Sequence, residues 1–257
     1  MSPLATDLAR ALDPAALAEG VGMVPDAWQA QVLRSDHPRI LLNCCRQSGK
    51  SQTAAVKAVH VAVYEPGSLI LCLSPSLRQS GELFRKVTAV YKSLGRPVAA
   101  EAESALTLTL ENGSRVVSLP GSEATIRSYS AVRLLIVDEA ARVEDETISA
   151  VRPMLAVSGG QLVALSTPAG RRGWFHAAWE DGGNAYKRVR VTAAECPRIS
   201  ASFLAEERVA NGQYFFAQEY ECSFESSDAA LFDEETLKAM WDARVRPLFP
   251  IDRSVTA

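Results

Sequence analysis

No uninterrupted apolar run in this chain of 257 residues approaches the roughly 18 to 20 residues of a membrane-spanning helix, and no basic N-terminal segment leads into an apolar one. Both absences argue against membrane insertion and secretion. There is no C-x-x-C pair. The five cysteines, Cys44, Cys45, Cys72, Cys196 and Cys222, form an odd set that implies reduced, buried thiols in a cytoplasm rather than zinc ligands or a disulfide framework. A basic excess is missing as well. The net charge of −3 does not mark a nucleic-acid binder, and the cations gather only locally: Arg78, Arg85, Lys86, Lys92 and Arg96, then Arg171 and Arg172, then Lys187, Arg188 and Arg190. No repeat or low-complexity block is visible. What the chain has is 47% hydrophobic residues, ample for the core of one large or two modest domains.

The stretch Ile40-Leu41-Leu42-Asn43-Cys44-Cys45-Arg46-Gln47-Ser48-Gly49-Lys50-Ser51 reads as a buried strand, a tight loop and the start of a helix. A phosphate cradle needs inward-turned backbone N–H groups, a lysine that reaches the β and γ phosphates, and a hydroxyl residue that holds Mg²⁺. Gly49, Lys50 and Ser51 supply the end of the pattern G-x-x-x-x-G-K-[ST], whereas Cys44 stands where its first glycine belongs. A second apolar run, Leu134-Leu135-Ile136-Val137, ends in Asp138-Glu139 and has the form of a Walker B strand. Asp138 would complete the Mg²⁺ shell opposite Ser51, and Glu139 would orient and deprotonate an attacking water. A third buried strand over residues 161–168 ends in Ser166-Thr167-Pro168, whose hydroxyls are suited to sensing a γ-phosphate. Upstream, Asp26 can cap a short helix with Trp28 and Leu33 inward, and Gln29 is similar to the glutamine that reads the adenine edge in nucleic-acid-stimulated ATPases.

The remaining periodicities predict a helix over residues 8–20 stopped by Gly20 and Gly22, a helix over 52–64 stopped by Pro66-Gly67, a strand over 68–75 and an amphipathic helix over 77–94. Alternation on both sides of Asn112-Gly113 predicts a hairpin of 106–110 with 115–119, expected to interrupt an otherwise parallel sheet. Helices are expected over 145–155, 201–210 and 214–220, and a strand over 186–191. His176 has no acid or nucleophile placed around it and reads as a packing residue. The fold expected is α/β: a P-loop NTPase of the ASCE type, with a mainly parallel central sheet flanked by helices and a small C-terminal linker subdomain. The division expected is an ATPase core over 1–170, a linker or lid over 171–225 that completes it, and a tail over 226–257 without a nuclease domain.

These motifs, together with Pro25-Asp26-Ala27-Trp28-Gln29, the Arg46-Gln47 pair inside the P-loop and the late stretch Phe215-Phe216-Ala217-Gln218-Glu219-Tyr220, resemble the large terminase subunit of tailed bacteriophages and prophages. The resemblance implies a DNA-packaging motor that uses ATP and Mg²⁺, acts on double-stranded DNA with a portal protein and a small terminase subunit, and works as a homo-oligomeric ring in the cytoplasm of a bacterial host. It implies that Gln29 contacts adenine and that residues Arg46, Gln47, Ser48, Gly49, Lys50 and Ser51 bind ATP. Ser51 and Asp138 would hold Mg²⁺, Glu139 would activate water, and Ser166 with Thr167 would couple hydrolysis to movement. Arg46 would follow the γ-phosphate within its own subunit, and Arg127 is the first choice for a finger reaching a neighbouring subunit, with Arg133 and Arg142 as rivals. A helicase-like ATPase of repair or recombination, and a nucleotide-binding remnant without turnover, are the alternatives.

Overall fold

The computed structural model describes residues 2–120, 129–225 and 240. Residues 1–225 form one compact unit. Its chain opens with α1 (Pro3–Leu12), α2 (Pro14–Gly20) and α3 (Ala27–Leu33), then enters β1 (Arg39–Cys44). The single helix expected over 8–20 is two helices. Asp13 is extended, its side chain accepts the Ala15 N–H, and Pro14 cannot continue the preceding turn.

From β1 the chain runs through the P-loop into α4 (Lys50–Tyr64), then β2 (Leu69–Ser74) and α5 (Leu77–Ser93). Three strands follow, β3 (Ala100–Glu103), β4 (Thr107–Leu110) and β5 (Arg115–Pro120), before β6 (Val132–Asp138). The helix expected over 145–155 divides into α6 (Asp145–Val151) and α7 (Met154–Ser158) around Pro153, which removes a helical donor there. Next come β7 (Gln161–Ser166), α8 (Gly173–Glu180), β8 (Lys187–Val191) and α9 (Ala201–Tyr220). Inside α9, Gly212 is non-helical at φ 75, ψ 167, so two helical pieces meet there as the sequence predicts.

The strands form one sheet in the order β3-β4-β5-β2-β6-β7-β1-β8. The pairings from β5 to β8 are parallel, and only β3 with β4 and β4 with β5 are antiparallel. The hairpin therefore extends one edge of the parallel sheet and does not interrupt it. β7 lies between the P-loop strand β1 and the Walker B strand β6, which is the additional-strand arrangement of the ASCE class. Residues 171–225 contribute β8 to this sheet, beside β1.

The continuous apolar runs are explained by cover on both faces. Ile40, Leu42, Leu134, Ile136, Val163 and Leu165 pack into the layer that includes α3, α4 and α5. Their neighbours Leu41, Leu135, Val137, Leu162 and Ala164 pack on the other face with Ile148, Met154 and Phe175 from α6, α7 and α8. Each such Leu or Ile contributes about 1.5–3 kcal/mol by burial. The buried Ala54, Ala55, Ala58 and Ala62 let α4 lie close beneath the sheet, which brings its N-terminus to the sheet's C-terminal edge. Asn43 aligns with Ser166, and Asp138 with Leu165. The ends of β1, β7 and β6 are thus level, and a crevice at that edge is where open α/β sheets place their ligands.

Candidate functional site

The loop between β1 and α4 turns on two residues with positive φ, Gln47 at 60° and Gly49 at 91°. Cys44 is fully buried, ends β1 and pairs with Val191 of β8, with no positive φ, so no glycine is required where the motif departs from its pattern. The loop is fixed from outside by backbone bonds from Cys45 N–H to Val191 O at 2.9 Å and from Arg46 N–H to Glu219 O at 3.0 Å, and Thr53 N–H to Gly49 O at 3.0 Å opens α4. A Cβ at Gly49 would meet Gln29 Nε2 at 2.8 Å. Gln29 itself is 2% exposed; its Oε1 accepts the Asp26 N–H at 2.8 Å and its Nε2 points to Ser48 O at 3.5 Å. In this conformation it braces the loop against α3.

Lys50 opens α4 and its Nζ stands 4.0 Å from Glu139 Oε1. Ser51 Oγ donates toward Asp138 Oδ1 at 3.5 Å. The Asp138 carboxyl is pushed above its usual range by burial and by the neighbouring Glu139 charge, with Lys50 opposing. A hydroxyl and a buried carboxylate meeting beside Lys50 fit a Mg²⁺ ion, which takes one or two protein oxygens and completes its shell with waters and phosphates. Glu139 is left-handed at φ 51, ψ 43, a conformation that costs a non-glycine residue about 1 kcal/mol and turns its side chain out of the strand direction. Its N–H donates to Asp138 Oδ1 at 3.0 Å.

A cleft of about 430 Å³ joins these parts. Arg46 through Ser51, Glu139 and Thr167 line it, together with Gln79, Lys86, Arg142 and Glu219. Asp138 stands behind Ser51, and Ser166 is fully buried at the end of β7 with no hydrogen-bond partner for its hydroxyl among the described residues. Arg127 lies outside the described residues. Its rival Arg133 is far from the cleft, at the start of β6, where it forms a bidentate pair with Glu65. Arg142 is in the cleft and tied to Glu139. His176 packs its ring edge-on against Phe224 at 5.0 Å.

Sequence reasoning missed four contributors. Lys86 and Gln79 share a face of α5 at a spacing of two helical turns. Arg198 holds both Asp26 oxygens and Ser48 O. Glu219 returns from α9 to Arg46 and Arg142. Only Glu219 carried a signal, as part of the Gln218-Glu219-Tyr220 stretch.

Residues 41–239 match the family model described as terminase large subunit, T4likevirus-type, N-terminal. The large terminase subunit of Thermus virus P23-45 is 30% identical over 177 residues, which cover 62% of this chain and 36% of that one. The chain thus spans about a third of the length of the curated relatives it matches. Among solved structures, the large terminase ATPase domain of Thermus phage P74-26 aligns with a TM-score of 0.72 at 23% identity, over 80% of this chain and 96% of that chain. The large terminase of another thermophilic bacteriophage, in complex with ATP-gamma-S, aligns with a TM-score of 0.61 at 15% identity, over 77% of this chain and 52% of that chain.

Proposed function

Because the chain belongs to the family of terminase large-subunit N-terminal domains, T4likevirus-type, we propose that its cleft hydrolyses ATP with Mg²⁺ to drive double-stranded viral DNA into a procapsid. The observation that carries this reading is the convergence of Lys50, Glu139 and the Ser51–Asp138 pair at the ends of adjacent elements. The loop's backbone N–H groups and the start of α4 receive the phosphates, and Lys50 offsets charge at the β and γ positions. Ser51 and Asp138 would hold the metal ion, which would supply positive charge against the charge that develops on the phosphate. Glu139 orients the attacking water and accepts its proton. Arg46 stands at the rim of the cleft, its side chain more than half exposed, and follows the γ-phosphate from there. An adenine contact by Gln29 requires its amide to turn from Asp26 and Ser48.

Thr167 and Ser166 pass the state of the γ-phosphate to residues 171–225, which act as the linker that moves. Arg127 serves as the finger toward a neighbouring subunit in a ring docked on a portal, with a small terminase subunit delivering the DNA. This assembly works in the cytoplasm of a bacterial host; no helix among the described residues is long and apolar enough to cross a membrane. The test is phosphate release from ATP by the chain with Mg²⁺, with and without double-stranded DNA. Lys50→Ala is expected to lower turnover by roughly 10²-fold or more. Equal turnover in wild type and Lys50→Ala would remove the reading.

A further inference from the structure

A short 3-10 turn, Ala140–Arg142, follows Glu139 directly and ends in an arginine whose guanidinium is divided among three parts of the cleft. Arg142 Nη1 donates to Glu139 Oε2 at 2.9 Å and to Thr167 Oγ1 at 3.3 Å, while Nη2 reaches Glu219 Oε1 at 3.5 Å. Glu219 lies near the end of α9, and its side chain is only 7% exposed. Its Oε1 also accepts from Gln218 Nε2 at 3.2 Å, and its Oε2 stands 3.6 Å from Arg46 Nε. Burying a carboxylate to this degree is costly unless cations and donors face it, and Arg142 and Arg46 are the cations that do. One planar fork therefore spans two carboxylates and a hydroxyl with fixed geometry, which a lysine ammonium cannot reproduce. This places the side chain inward, on its own subunit.

We propose that Arg142 is a positioning residue that sets the orientation of its own subunit's Glu139 and links it to Thr167 and Glu219, acting in cis rather than as a finger toward a neighbour. The inference rests on the hydrolytic reading of the cleft. It gives α9 a direct line to the water-activating carboxylate: any displacement of Glu219 alters what Arg142 can hold. It also separates Arg142 from Arg46, which touches Glu219 but makes no contact with Glu139 among the described hydrogen bonds and ion pairs.

The experiment is steady-state phosphate release against ATP concentration, with ADP affinity by calorimetry, for Arg142→Ala, Arg142→Lys, Glu219→Gln and Lys50→Ala. Since small misplacement of a reacting group costs up to about 10²-fold, Arg142→Ala is expected to lower kcat roughly 10- to 100-fold. KM and ADP affinity are expected to stay within about twofold, because the lost interaction orients the carboxylate without binding nucleotide. Arg142→Lys restores part of kcat, and Glu219→Gln lowers kcat in the same direction by less. Mixing Arg142→Ala with Glu139→Gln subunits gives no more than the sum of the two. Recovery on mixing would assign the arginine to a neighbour's site and overturn the proposal. Wild-type kcat in Arg142→Ala, with Lys50→Ala inactive, overturns it while leaving hydrolysis standing. Turnover that survives Lys50→Ala overturns the hydrolytic reading and this inference with it.

Discussion

The two edges of the parallel sheet bury polar side chains to opposite ends. At the edge formed by the strand starts, several described polar groups close on nearby carbonyls, a hydroxyl or an opposite charge. Gln161 Nε2 donates to Ser35 O and His37 O at 2.9 and 2.8 Å. Lys57 Nζ reaches the carbonyls of Val32, Leu33 and Ser35, Lys187 Nζ reaches Ser35 Oγ, and Arg133 pairs with Glu65. At the edge formed by the strand ends, charged groups gather at a cleft: Glu139 lines it with the like charge of Asp138 directly behind, and Glu219 lies against Arg46 and Arg142. Satisfied polar groups stabilise the fold, whereas groups that converge on a cleft under strain are arranged for a ligand. β6 carries both kinds, Arg133 at its start and Asp138 at its end.

The comparison breaks if substitutions at the two edges have the same consequences. The largest expected effect is at the strand ends: Asp138→Asn lowers ATP turnover by roughly 10²-fold or more and raises the Mg²⁺ needed for half-maximal rate. Its thermal midpoint holds or rises, because a buried like-charge contact is removed; a fall in the midpoint with turnover kept would reverse the roles of the edges. At the strand starts the effect is on stability. Burial pushes the Lys57 ammonium down from 10.5 to about 8, with Asp36 opposing. Below pH 8 both folded and unfolded chains carry the proton. Between pH 8 and 10.5 the unfolded chain binds more, so the unfolding free energy contributed by this residue rises with pH, by up to roughly 3 kcal/mol. Urea unfolding of Lys57→Met against wild type across that range is expected to show the rise only in wild type. The smallest effect is Arg133→Ala. With both partners more than a third exposed, its pair with Glu65 contributes about 0–1 kcal/mol, and turnover per folded molecule is expected to be unchanged.

The strands that carry the cleft were legible because burial on both faces writes them as unbroken apolar runs, and because Gly49-Lys50-Ser51 and Asp138-Glu139 mark their ends. Asn112-Gly113 marked its turn for a local reason too: Asn112 Oδ1 accepts the Ser114 N–H, and Gly113 takes φ 81. What local pattern could not carry is topology. Nothing in residues 187–191 says that they pair with β1, yet this pairing holds Cys45 through Val191 O. Nothing in α5 says that Lys86 faces the cleft, and nothing near Arg198 says that it clamps Asp26 to the P-loop. Arg142 stood among three arginines as a choice of finger, and only its distances to Glu139, Thr167 and Glu219 separate it from Arg133.

The most direct measurement is Glu139→Gln beside wild type, with ATP-gamma-S affinity and phosphate release from ATP determined on the same preparation. On the proposed reading Glu139 acts on water while Lys50, Ser51 and the loop would hold the nucleotide, so affinity is expected to stay within a few-fold while release falls by about 10²- to 10⁴-fold. Release that persists at the wild-type rate, or affinity that falls in step with it, would contradict the assignment of the cleft as a hydrolytic site built around Glu139.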